Sequence, residues 1–206
     1  TKGRIAMKRI VQQLACLLFL SLISISILPA EEQGSPPWLW LGPRIGVTGV
    51  ISKPSDFDDV IEELFPKSRK YFPVYSEIGL AVEQRIRIEG KGYQLFLQER
   101  ILVGGLDQTV ALPSLSLLLG VSTPFGLEIG LGPDFSLESN SGGAVIAPAM
   151  VYALAWTFFI SDQIKIPVVF SAVPIPPEGK PRLSLLAGLD FGLRFKREKK
   201  KTPFNY

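Results

Sequence analysis

Nine charged residues are the first candidates for chemistry. Glu77, Glu83, Arg85, Arg87, Glu128, Asp134, Arg182, Asp190 and Arg194 each sit in an apolar stretch that alternates in polarity, and each takes the polar parity. Five are acids and four are bases. Such a set, enclosed in protein, must pair or stay wet, because an unpaired buried charge is very costly. It can form a salt-bridged plug that stabilises the fold, or line a small gated pore. It is poorly suited to catalysis. The 206 residues include no His. That removes the commonest general base, the commonest metal ligand and every Ser-His or Cys-His pair. No phosphate loop, dinucleotide fingerprint or nucleophile elbow is present either. The expectation is a non-enzymatic protein with no cofactor and no metal site.

The elements that hold these charges read as strands, because apolar residues recur with period two. The first runs over 38–52, with Ile45, Val47 and Ile51 on one face and Arg44, Gly46 and Thr48 on the other. The second, 74–88, places Ile78, Leu80, Val82, Ile86 and Ile88 opposite Glu77, Gly79, Ala81, Glu83, Arg85 and Arg87. Residues 93–104 return as a third strand, whose apolar face Glu99 interrupts. Further strands follow over 114–122, 127–137, 145–160 and 164–172. The last is the most regular: Leu183, Leu185, Ala187, Leu189, Phe191, Leu193 and Phe195 against Arg182, Ser184, Leu186, Gly188, Asp190, Gly192 and Arg194. Connections two, four and six (89–92, 123–125, 161–163) are short, whereas the first, 53–73, is long. An even count of alternating strands, with short turns at one end and loops at the other, is the pattern of an outer-membrane barrel. The predicted fold is all-β: an eight-stranded antiparallel transmembrane up-and-down barrel over 38–195. Prolines 113, 133, 148, 167 and 174 fall in or beside the strands and oppose this reading, since each removes a ladder donor.

A soluble lipocalin-like barrel also has eight alternating strands, with its apolar face inward. The polar face decides between the two. It is small here, with Gly130, Gly132, Gly188, Gly192, Ala147, Ala153, Ser114 and Ser116, and no Lys occurs between Lys91 and Lys165. Small residues with isolated charges suit a narrow interior rather than a watered exterior. Aromatics near strand ends, namely Trp38, Trp40, Phe125, Trp156, Phe158 and Phe195, suit the interfacial girdle of such barrels. An Arg facing lipid at mid-membrane costs ~2–4 kcal/mol. The last strand therefore keeps Asp190 and Arg194 inward.

The segments outside the strands carry their own signals. Residues 1–30 read as a signal peptide: Lys8-Arg9, an uncharged run from Leu14 to Leu28, then Pro29-Ala30. The run is short of a hydrocarbon core, although a retained anchor is the alternative. The only Cys, Cys16, lies in this leader, as do Lys2, Arg4, Lys8 and Arg9. The rest of the chain is then thiol-free and close to charge-neutral, so the net charge of +3 does not signal nucleic-acid binding. Residues 31–37 form a linker. In the first loop, Ser55-Asp56-Phe57-Asp58 resembles a capping box, and Phe57, Val60, Ile61 and Leu64 follow helical spacing up to Pro66. This helix could cover the barrel mouth or meet a host ligand. Its acids, Asp56, Asp58, Asp59, Glu62 and Glu63, serve the helix dipole more readily than they bind Ca²⁺. Residues 196–206 form a basic tail that could touch anionic headgroups or stay solvated.

With these features together, the chain resembles the small outer-membrane barrels of the OmpA- and OmpW-like group, including spirochaete-type members of this size. The resemblance covers about 38–195. It is carried by the strand topology, the leader and the closing strand ending Phe191, Leu193, Phe195. A looser similarity is Leu112-Pro113-Ser114-Leu115-Ser116-Leu117, which resembles a Leu-Pro strand of OmpW-like proteins. The chain departs from the group in the tail that follows the terminal aromatic. The resemblance implies a monomer in outer-membrane lipid, delivered by the barrel-assembly machinery. It also implies passive permeation of small or hydrophobic molecules. Two other functions stay open on the residues: a structural or adhesive barrel whose loops bind a partner, and a secreted soluble barrel carrying an apolar ligand.

Overall fold

The computed structural model describes residues 37–51, 73–88, 92–140, 143–174 and 180–193. The leader, the loop helix of Phe57, Val60, Ile61 and Leu64, and the tail with Arg194 and Phe195 lie outside the described residues. Strands follow one another as β1 (Leu39–Val50), β2 (Val74–Arg87), β3 (Gln94–Gly104), β4 (Leu112–Ser122), β5 (Leu127–Asn140), β6 (Gly143–Ser161), β7 (Ile164–Val173), β8 (Arg182–Gly188) and β9 (Asp190–Leu193). A single 3₁₀ turn, Leu106–Gln108, is the only helical element among the described residues. From β1 through to β8 consecutive strands pair antiparallel, β9 pairs with β1 and β7, and β1 pairs with β2 on one side and with β8 and β9 on the other. The sheet closes on itself and has no free edge, which removes the hazard of unpaired strand edges.

β8 and β9 are one stave of this barrel. Both keep the same register against β1, from Arg44↔Gly188 to Leu41↔Phe191, and against β7, from Val168↔Ala187 to Ile164↔Phe191. The lapse at Leu189 has a local cause. The register sets Pro43 opposite Leu189 and Pro167 opposite Gly188, and neither proline has an N–H to give. What remains is a long bond of 3.4 Å from Leu189 N–H to Pro43 O. The barrel therefore has the expected eight staves.

The other prolines are handled the same way. Pro113 pairs with Val103, but β5 begins pairing with β4 only at Ser114, so its second side needs no donor. Pro148 pairs with Phe135 and lies beyond the β6–β7 ladder, which starts at Tyr152↔Ala172. Pro133 pairs with Met150 on one side and faces a lapse in the β4–β5 ladder on the other. Pro174 lies just past β7. A closed barrel thus accommodates prolines wherever a neighbouring strand has ended or a rung is missing.

β2, β4 and β6 end, and β3, β5 and β7 begin, at the end of the barrel where Leu39 meets both Gln84 and Leu193. β5 and β6 stay paired as far as Asn140↔Gly143. β3 keeps one register throughout. Glu99 stays with the outward set, opposite Val82 and Leu117, while Gln98 and Arg100 point inward.

Orientation follows from exposure. Ile45, Leu119, Ile129 and Leu185 are 64, 61, 59 and 52% exposed. The polar-parity residues Arg44, Glu83, Arg100, Glu128 and Asp190 are all at 3% or less. A barrel in water would be the reverse. This one shows apolar side chains on every stave, far more than a soluble surface tolerates. Phe191 and Leu193 look outward and Asp190 looks in. The soluble lipocalin-like alternative fails on this point.

Candidate functional site: the barrel interior

The interior is built on a size rule: large side chains sit over glycines of neighbouring strands. Gly188 leaves the space that the Arg44 guanidinium fills, Gly120 faces the Phe96 ring, and Gly104 faces the Tyr75 ring. Gly192 lies against Pro37 and Trp40. A Cβ at any of these positions would enter the partner's side chain. These four glycines therefore make room for the bulky groups beside them.

Toward the short-turn end lies a continuous ion network. Arg44 holds both carboxylate oxygens of Asp190, the second at 2.9 Å. Lys165 ion-pairs Glu83 and lies 3.5 Å from Asp190 Oδ2. Arg85 bridges Glu83 and Glu128. Neutral donors complete the carboxylates: Gln98 donates to Glu83 at 2.7 Å and Thr157 to Glu128 at 2.8 Å. Arg85 also donates to Ser122 at 3.2 Å. Three bases and three acids thus balance inside a space closed to solvent. Below them, Trp40 donates its indole N–H to Pro37 O at 3.0 Å and offers its ring face to Lys165 Nζ at 4.9 Å. Charge-assisted bonds of this kind are about twice as strong as neutral ones.

Apolar clusters fill the middle. Phe96, Leu118, Ala149, Val151 and Val173 form one, and Leu102, Ala155, Val169 and Leu186 another. A second polar layer lies toward the loop end. Arg182 donates to Asp134 at 2.9 Å and to Ser136 at 2.8 Å, and Ser116 donates to Asp134 at 2.7 Å. Glu77 is hydrogen-bonded to Thr48, which also meets Ser184 at 2.6 Å. At the rim, Val110 of the β3–β4 connection packs on Tyr75 with Val50 and Leu112. Asp107 anchors that connection by accepting from Ser76 N–H at 3.1 Å and Ser76 Oγ at 2.7 Å. These bonds hold the exposed Asp107 carboxyl below its ordinary range.

The expected interior charges Glu77, Glu83, Arg85, Glu128, Asp134 and Asp190 are all buried inside, with Arg182 half-buried at the upper layer. Arg87 is a correction: it lies at the end of β2 and is exposed, because it is past the last β1–β2 pair, Leu39↔Gln84, and keeps only β3 as a neighbour. Trp40 is the second correction. It is 3% exposed inside the barrel rather than in the interfacial girdle, since it shares the inward parity of Arg44. Trp156, Phe158 and Phe125 do face outward, and Phe125 and Trp156 meet with ring centroids 6.0 Å apart. Trp38 is half-buried. Three further bases lie inside beyond the expected charges: Arg44, Arg100 and Lys165. Parity alone marks Arg44 beside Gly46 and Thr48, and Lys165 between Ile164 and Ile166.

Apolar outside, ion-paired inside, eight staves and no edge: this is the architecture of the small outer-membrane-type β-barrels, and the chain has that fold. No protein-family model matches the chain, and no curated protein does. Among solved structures, it is similar to Neisserial surface protein A, with 7% identity, coverage of 77% of this chain and 99% of the other, and a TM-score of 0.47. It is similar to Ail, the attachment invasion locus protein of Yersinia pestis, at 13% identity, 74% and 96% coverage and a TM-score of 0.44. A third is the N-terminal β-barrel domain of Pseudomonas aeruginosa OprF, at 12% identity, 76% and 100% coverage and a TM-score of 0.37.

Proposed function

We propose that this protein is a closed, non-enzymatic barrel of the bacterial outer membrane that serves as a structural or partner-binding surface protein. In this reading it sits as a monomer in outer-membrane lipid, placed there by the barrel-assembly machinery, and meets a host ligand through its loops. The observation that supports it is the filled bore. Arg44, Arg100, Lys165, Leu118, Leu186 and Glu83 are fully buried side chains at successive levels of the interior. Eight strands enclose only enough space for side chains, and here side chains occupy it. Passive permeation of small or hydrophobic molecules, which the OmpW-like resemblance implies, would need that filling to move or the wall to part.

Planar-bilayer recordings of the refolded protein test the choice. The expected result is no stepwise conductance and no solute flux into proteoliposomes, with loop-dependent binding to host surface material that is lost on deleting residues 53–73. Reproducible single-channel steps with solute flux would replace this reading with the permeation one. Heat-modifiable gel migration and a requirement for detergent test membrane insertion itself, and a chain monodisperse in plain buffer would refute it.

A further inference from the structure

Arg100 stands apart from both ion layers. It is 1% exposed, makes no ion pair among the described residues, and its Nε and Nη1 meet no acceptor. Two neighbours share the defect: Nε of Arg44 and Oε2 of Glu77 are also buried without a partner. The charges of Asp134, Arg44 and Glu77 all act on Arg100, and all four side chains are buried on the inward face. Buried polar groups in native proteins are paired with protein or with ordered water, and a charged group left unpaired is the costliest case.

We propose that ordered water occupies the space around Arg100, sealed between the two ion layers, and links the guanidinium N–H groups to Glu77 Oε2. The shape of the guanidinium requires more than one water. Nε–H and Nη1–H₂ project from different edges of the planar group, so one acceptor cannot serve both. The site offers donors and an acceptor together. Water satisfies both kinds, whereas an anion would satisfy the guanidinium groups and leave Glu77 Oε2 orphaned. The charge balance agrees. Among the described side chains, Arg100 and Arg182 match Glu77 and Asp134 in number and the lower layer is balanced by itself, so none of these leaves an excess positive charge for an anion. A polar, enclosed site of this kind retains bridging water, unlike an apolar cavity.

The test is nuclear magnetic resonance on the refolded full chain in lipid nanodiscs, with ¹⁵N-labelled arginine. Arg100 Nε–H is assigned by its disappearance in R100K and, independently, through bonds from the backbone, so the assignment survives a variant that does not fold. The expected result is a cross-relaxation peak between Arg100 Nε–H and long-lived water. Titration with sodium bromide at constant ionic strength is expected to leave the resonance within its linewidth. An Arg100 resonance without a water peak, or one that shifts saturably with bromide, would overturn the proposal, the latter in favour of an anion. Crystals grown in bromide give a second readout. Ordinary water density beside Arg100 supports the inference, and an anomalous bromide peak or a direct Arg100–Glu77 contact refutes it.

Discussion

The Arg44–Asp190 pair offers the most direct measurement of how dry the interior is. Both side chains are at 1% exposure, and the carboxylate takes two bonds from one guanidinium. In D190A, Arg44 keeps only its bond to Pro43 O at 3.1 Å and becomes an uncompensated buried cation. Breaking a buried pair in this way costs about 3–5 kcal/mol. Lys165 is less affected, because Glu83 still holds it. The loss should therefore fall near the lower end, at about 3 kcal/mol, which is more than a hundredfold in the folding equilibrium. R44M should cost a similar amount by stranding Asp190 beside Lys165 alone. The double variant leaves neither charge, so its loss should be smaller than the sum by roughly 2 kcal/mol or more. The assay is reversible urea unfolding of protein folded into lipid vesicles, followed by tryptophan fluorescence. Trp40 lies inside the barrel and reports the interior directly. A single-variant loss below about 1 kcal/mol with additive behaviour would mean that the pair is solvated like a surface salt bridge, and the closed-interior reasoning would fail.

Other expectations are narrower. G188V places a branched side chain where the Arg44 guanidinium lies and should destabilise by about 1–3 kcal/mol in the same urea assay, while G49V, where a Cβ finds only ordinary contacts, should not. I45R puts a cation on the outward face at a site 64% exposed, and in vesicles it should cost ~2–4 kcal/mol if that face meets hydrocarbon. An unchanged midpoint would argue that the face is wet. Asp107 should make the β3–β4 connection acid-labile. Its carboxyl is lowered in the folded state by Ser76, so the contribution is present above the ordinary value of 3.8 and is lost as the pH falls from there through the lowered one. Protection of Val110 and its neighbours, taken relative to the intrinsic exchange rate at each pH, should fall with acid in the natural chain and show no such step in D107N.

Much of this arrangement is written in the period-two pattern. Alternating parities fix which side of each strand meets lipid, and they put Glu77, Glu83, Arg85, Glu128, Asp134 and Asp190 inside, while Arg87 shows that parity does not say where a strand end leaves cover. Parity also carried Arg44, Lys165 and Trp40. Trp40 is ambiguous in sequence because an aromatic near a strand end suits the girdle as well as it suits a stopper in the bore. Arg100 was harder to read. It follows Glu99, so the two charges claim opposite faces, and only the pairing of β3 with β2 and β4 decides between them. The pairs themselves were beyond the pattern. Arg44 and Asp190 lie 146 positions apart, and Lys165 and Glu83 lie 82 apart. Their meeting depends on how far each strand is staggered around the ring, which alternation does not encode. The prolines misled for a related reason: whether one is tolerated depends on where the adjacent strand stops.

The seam between β1 and β9 gives the Arg44–Asp190 contact a place in the order of assembly. Arg44 belongs to the first stave and Asp190 to the last, so the guanidinium has no carboxylate opposite it until the ring is complete. An unfinished sheet would carry a naked cation at its leading margin, a poor state in which to enter oil. In a barrel that enters lipid as it closes, the finishing strand would thus supply the counter-ion of the first.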